Sequence, residues 1–234
     1  MTYGQGGKYI VGGDGIPYGP FPAPTPPITC IIPAWNEEDT VGPVVEAFLW
    51  CRYVRPIIVS VDGWTEDDTA VIAGAHLKGE HNGTVLRNPR IVHGKGQTLM
   101  AALAQVRTPY VFFCDADISG LEPDHISIMI SDATTDETSL TIGVPDIPDN
   151  YPEDREWAWP WVSGIRCMPM RVIRPLQLHG YLTEVQINSV FYHSQISIRM
   201  ERLFGVKSPY QMSERRLEDM EKDAAWGHQH GILP

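Results

Sequence analysis

Between residues 28 and 114 the chain repeats one pattern: a short apolar run, an acidic or glycine-containing turn, then a stretch with helical spacing. Ile28, Cys30, Ile31 and Ile32 form a β-branched run stopped by Pro33, which predicts a buried parallel strand over 28–32. Asn36, Glu37, Glu38 and Asp39 then predict a helix over about 38–52, with acidic residues in its first turn where the helix dipole favours them. Further strands are expected at 56–61, 84–86 and 110–114, and further helices at 69–77 and 95–106. Fourfold strand–helix alternation predicts an α/β fold with a doubly wound, mostly parallel sheet. Ligands of such sheets sit at the carboxyl ends of the strands. Pro33 to Glu37, Asp62, and Asp115 to Asp117 all fall there.

The flanking segments differ. Glycines at 4, 6, 7, 12, 13, 15 and 19 and prolines at 17, 20, 22, 24, 26 and 27 predict an extended arm over 1–27. Beyond 118 the alternation loosens. Helices are expected near 124–132, 169–178 and 183–192, strands at 139–144 and 196–198, and a charged terminal helix over 212–226. The expected organisation is an arm (1–27), a strand–helix-alternating half (28–120), a smaller second half (121–211) and a terminal helix with tail (212–234).

Composition narrows the function classes. Eighteen Lys and Arg against 29 Asp and Glu give a net charge of −11. A polyanion is then repelled at long range, so a dedicated nucleic-acid binder is disfavoured. The interleaved Arg199, Arg202, Arg215 and Arg216 do not reverse this. No apolar stretch approaches a membrane span and no secretory pattern opens the chain, so a cytoplasmic protein without stable membrane association is expected. Cys30, Cys51, Cys114 and Cys167 stand singly, without the spacing of a zinc site, and read as reduced core thiols.

Asp115-Ala116-Asp117 ends the fourth strand. Two carboxylates one residue apart can approach one hard cation, Mn2+ or Mg2+, although a bare pair is equally an acidic turn before a helix. Lys95, between Gly94 and Gly96 at a helix start, can bring a cation and backbone N–H groups to phosphate. Trp157, Trp159 and Trp161 alternate along a Pro-rich loop and suit either a stacking platform or anchoring of the smaller subdomain.

Four motifs in order carry a more specific resemblance: Ile32-Pro33-Ala34-Trp35-Asn36-Glu37-Glu38, then Val61-Asp62-Gly63-Trp64-Thr65-Glu66-Asp67-Asp68-Thr69, then Gly94-Lys95-Gly96, then Phe113-Cys114-Asp115-Ala116-Asp117. Over residues 28–120 the chain resembles the family 2-like glycosyltransferases with the GT-A fold, in particular the dolichyl-phosphate mannose and glucosyl-3-phosphoglycerate synthase branches. The resemblance implies that a UDP- or GDP-sugar is the donor and that Pro33, Ala34 and Asp62 contact its base and Glu37 its ribose. Asp115, Ala116 and Lys95 would face the diphosphate, with Asp115 and Asp117 on the metal. Thr183 and Glu184 fall in a segment like the family's Gly-Tyr-Gly-x-Glu, which makes Glu184 a candidate base, while Gly164 and Arg166 fall in an acceptor-loop-like segment. Asp117, Lys95 and Glu184 are thus the catalytic candidates. Glu184 as base favours inversion and the phosphoglycerate branch suggests retention; both stay open. The acceptor expected is a small phosphorylated molecule with a hydroxyl, a modified DNA base being the alternative, as in a bacterium or a virus-infected cell. A homodimer is left open. A nucleotidyltransferase and a non-catalytic sugar-nucleotide binder are the rival readings. Two departures stand out: Trp64 replaces a small residue, and a third metal ligand is unassigned, with His228 and His230 as candidates.

Overall fold

The computed structural model describes residues 10–11, 17–18, 26–79, 83–135, 139–151, 153, 156, 159–178, 180, 183–194 and 196–209. Most of the expected arm, the terminal helix, and Trp157, Arg215, Arg216, His228 and His230 lie outside them. Two-residue strands β1 (Ile10–Val11) and β2 (Pro17–Tyr18) pair with each other. The main sheet contains β3 (Ile28–Ala34), β4 (Val54–Val61), β5 (Gly83–Arg87), β6 (Tyr110–Phe113), β7 (Leu140–Asp146), β8 (Arg166–Pro169) and β9 (Ile198–Lys207) in the order β5-β4-β3-β6-β8-β7-β9. β8 is antiparallel to both its neighbours; the other pairings are parallel.

Helices cover both faces, as a doubly wound sheet requires. On one face α1 (Val41–Trp50), α2 (Thr69–Leu77) and α4 (Pro123–Thr135) bury Val44, Phe48, Ala73, Ile126 and Ile130 against Cys30, Ile32 and Val59. On the other, α3 (Lys95–Leu103), the short α6 (Met170–Ile173) and α7 (Thr183–His193) bury Leu99, Ile173, Ile187 and Phe191 against Ile31, Ile58 and Phe113. A single turn, α5 (Trp159–Val162), precedes β8. All four cysteines are free and buried. Among the described residues no helix is long and apolar enough to cross a membrane.

Three elements depart from the sequence reading. α1 starts at Val41, leaving Glu38 and Asp39 outside it. Asn36 has a left-handed φ of 53°, and its loop is stitched to residues 66–69 instead of coiling into the helix. Residues 166–169 form a strand that the sequence reading did not expect, followed by α6 inside the helix expected near 169–178; a four-residue run led by an arginine has no readable period, and the open ladder between β6 and β7 decides it. β9 runs to Lys207, well past 198. Its charges sit on an exposed edge strand, which hides the alternation.

Candidate active site

The carboxyl ends of β3, β4 and β6 form a rim, and the start of the reversed β8 joins it because Arg166 pairs with Phe113. Pro33 is tolerated within β3 because β6 pairs only as far as Ile31, so the missing donor breaks no ladder on that side. Beyond that point Ala34 accepts a hydrogen bond from the Asp62 N–H at 2.9 Å. Glu37 lies half-buried on the same rim. Its Oε2 accepts from the Thr40 hydroxyl at 2.6 Å, and its carbonyl accepts the first N–H groups of α1.

Opposite lies a charged cluster. The Lys95 ammonium stands 2.5 Å from both Asp115 Oδ1 and Glu184 Oε1. Lys95 opens α3 and Glu184 lies in the first turn of α7. The Gly96 N–H donates to the Gly180 carbonyl at 3.2 Å, so two helix N-termini converge here. A lysine at a helix N-terminus opposes the dipole, and the two carboxylates offset that penalty. Burial works against the ammonium, yet the charges of Asp115 and Glu184 and their hydrogen bonds outweigh it. The Lys95 pKa is raised above its ordinary value, so the group is a cation at neutral pH. Gly94, with φ 89°, caps α3 in a conformation that suits a residue without a Cβ.

Asp62 behaves differently from expectation. It is 5% exposed, and its two oxygens accept from four donors: the Trp64 N–H (2.8 Å), His93 Nδ1 (3.0 Å), the Gly94 N–H (2.7 Å) and the Thr98 hydroxyl (3.3 Å). A carboxylate offers about four acceptor positions, so this one is engaged within the chain and ties the end of β4 to the start of α3.

Gly164 lies in the short coil between α5 and β8, and Arg166 opens β8. A Cβ at Gly164 would fall inside the Asp115 carboxylate, so this glycine forms the floor on which Asp115 lies. Arg166 is 1% exposed, within β8. Its Nε donates to the Ser163 carbonyl (2.7 Å), Nη1 to Asn188 Oδ1 (2.5 Å) and Nη2 to the Trp161 carbonyl (2.8 Å). Burial pulls its pKa down to about 10, against the opposing pull of Glu184 and Asp115. It is a buried strut, because the strand that carries it inserts into the sheet. Trp159 is a core anchor whose Nε1 donates to the Pro145 carbonyl at 2.9 Å.

Ala116 is buried, while Asp115 and Asp117 on either side are half-buried on the rim. Among the described residues no group of three or more His, Cys, Asp or Glu side chains is arranged to hold a metal. Mg2+ and Mn2+ bound through one or two carboxylates plus substrate phosphate oxygens need no such group. The two aspartates fit that mode, and the Lys95 ammonium already meets Asp115 with positive charge.

His93 was not anticipated, although it directly precedes Gly94-Lys95-Gly96. Its ring stacks on Trp64 (centroids 4.8 Å apart, 24° between planes) and meets Trp35 edge-on (5.5 Å, 81°).

The profile of Glycosyl transferase family 2 matches residues 29–201, and the chain belongs to that family. This removes the nucleotidyltransferase alternative. Among curated proteins it is similar to the glucosyl-3-phosphoglycerate synthases of Mycolicibacterium paratuberculosis (32% identical over 112 residues, 46% of this chain and 33% of the relative) and Mycolicibacterium smegmatis (34% over 101 residues, 42% and 32%). The matched segments thus span about a third of the relatives' length. Among solved structures, that of Mycobacterium tuberculosis glucosyl-3-phosphoglycerate synthase superposes with a TM-score of 0.71 at 18% identity, covering 89% of this chain and 82% of that one. Its complex with Mn2+, UDP and phosphoglyceric acid gives 0.73 at 20%, covering 89% and 80%. The fold is GT-A, as the motif order implied.

Proposed function

We propose that this chain is a metal-dependent hexosyltransferase that moves a glucosyl group from a UDP-sugar to a hydroxyl of a small phosphorylated acceptor. The observation that carries the reading is the meeting of Lys95, Asp115 and Glu184 at the rim where β6 ends and α3 and α7 begin. Asp115 and Asp117 would hold Mn2+ or Mg2+, which when bound neutralises diphosphate charge and eases its departure. Lys95, permanently cationic and 22% exposed, would face the same developing charge, where preorganised electrostatics contribute most. The Pro33 and Ala34 backbone and Glu37 would line the nucleoside end, Ala116 would let the diphosphate approach closely, and Asp62 would act by holding Gly94 and Lys95 in place. Glu184 would take the acceptor's proton or orient the acceptor. The acceptor class follows from the relatives, one of whose complexes contains phosphoglyceric acid; a nucleic-acid acceptor gains no support from them.

The test is incubation with UDP-glucose, Mn2+ and 3-phosphoglycerate, following UDP release and product mass. Metal-dependent, acceptor-dependent release is expected, suppressed by EDTA and reduced at least about a hundredfold in Asp117→Ala. Binding of UDP-glucose without any UDP release would make the chain a non-catalytic binder and sink the proposal. The anomeric configuration of the product, read by proton NMR, separates inversion with Glu184 as base from retention.

A further inference from the structure

The Lys95 ammonium touches both a proposed metal ligand, Asp115, and the candidate base, Glu184, at 2.5 Å each. Each of the three is held in place. The start of α3 is tied down on both sides of Lys95: the Gly94 N–H donates to Asp62 Oδ2 at 2.7 Å, and the Gly96 N–H donates to the Gly180 carbonyl at 3.2 Å. Asp115 rests on Gly164, and Glu184 is fixed in the first turn of α7. Lys95 and Asp115 are 22% and 23% exposed and Glu184 is 9% exposed, so little water screens their charges. Arg166 adds a second buried cation, close enough for Glu184 and Asp115 to bear on its charge. Its hydrogen bonds to Ser163, Trp161 and Asn188 all go to neutral oxygens, so its positive charge acts on the cluster as a whole. Two fixed cations, Lys95 and Arg166, thus stand against Asp115, Asp117 and Glu184, an excess of one negative charge. A divalent ion arriving alone overturns that balance and meets an ammonium that already shares the Asp115 carboxylate. A divalent ion that carries a diphosphate does not, because the phosphate oxygens bring their own negative charge.

Resting on the donor reading above, we propose that Lys95 selects the metal–diphosphate complex over the bare metal ion. Its charge penalises a divalent cation that arrives alone at Asp115 and Asp117, and favours the same cation once a diphosphate accompanies it. Metal and nucleotide therefore bind with strong mutual dependence, each raising the affinity for the other by the same factor. The divalent ion is not retained after the nucleotide departs; it leaves with UDP. Lys95 thus sets the form in which the metal is taken up, besides facing the diphosphate once it is bound.

The experiment compares two titrations at neutral pH on wild type, Lys95→Met, Lys95→Gln and Lys95→Arg. Bare Mn2+ is followed by the EPR signal of the free ion, and premixed Mn2+–UDP by calorimetry. Wild type is expected to bind the premixed complex at least about a hundredfold more tightly than the bare ion. The neutral variants should bind bare Mn2+ about tenfold more tightly than wild type and Mn2+–UDP about tenfold more weakly, a change of opposite sign in the two titrations. Lys95→Arg keeps the charge and should leave bare Mn2+ within about threefold of wild type. Lys95→Gln retains an N–H donor toward the two carboxylates and serves if Lys95→Met does not fold. A merely structural role for Lys95 would weaken both titrations together and would overturn the inference. So would wild type binding the bare ion as tightly as the complex, a result that needs no variant. If wild type does not bind Mn2+–UDP, the donor reading fails and takes this inference with it; if it does, but the neutral variants bind bare Mn2+ no better than wild type, only the inference fails.

Discussion

Asp115 owes its position to a residue with no side chain. Its carboxylate lies where a Cβ at Gly164 would be, and its Oδ1 reaches the Lys95 ammonium. Gly164→Ala therefore displaces a short, mobile carboxylate and no backbone, so stability should change by less than about 1 kcal/mol. Geometry at the proposed metal site should suffer far more, because misplacement of a positioning group by about an ångström can cost a hundredfold. Titration of Mn2+ with UDP should show affinity falling at least about tenfold, while urea unfolding stays near wild type; intact affinity would mean that Asp115 is not a ligand. The motif in the sequence pointed to Asp115 and Asp117, but the contact with Gly164 joins residues 49 positions apart and is invisible to any local pattern.

Between elements, the coupling that matters runs from β4 to α3 through Asp62. All four of its partners are donors, or His93 with its proton on Nδ1, so an amide in its place must turn an N–H toward another donor. Asp62→Asn should cost about 1–3 kcal/mol in urea unfolding. It should also loosen the start of α3, weakening Mn2+–pyrophosphate along with UDP. Loss confined to UDP would return Asp62 to the role of base reader. At this scale the sequence was most legible where period and punctuation agree. Residues 69–77 are the helix expected, and β3 to β6 fall in the expected order, because alternating apolar runs and turns are decided locally. It was least legible at β8 and β9. Four residues that begin with an arginine cannot declare a period, and an exposed edge strand that carries charges does not look buried. Asp62 and Arg166 show a related limit: a charged residue near a motif suggests a ligand, and only the folded chain shows how many hydrogen bonds it already makes within the protein.

For the whole molecule, β8 is the strand that joins two parallel blocks, β5-β4-β3-β6 and β7-β9. Arg166 anchors its start to the Trp161–Ser163 turn and to Asn188 of α7. Arg166→Leu removes three donated bonds, leaving the Ser163 carbonyl and Asn188 Oδ1 without this donor while the Trp161 carbonyl keeps the Asn188 amide, and should destabilise the chain by about 2–4 kcal/mol in urea unfolding. If Arg166 instead held an anionic acceptor at the surface, the same variant would keep its stability and lose only acceptor affinity.

The four residues of β8 also guard against a different failure. While they are docked, β6 and β7 each have a neighbour on that side. Once they slip out, two interior strands become open edges of unpaired N–H and C=O groups, ready to recruit strands from other chains. Damage to β8 should therefore reach the cell as insoluble protein before it registers as a slower enzyme.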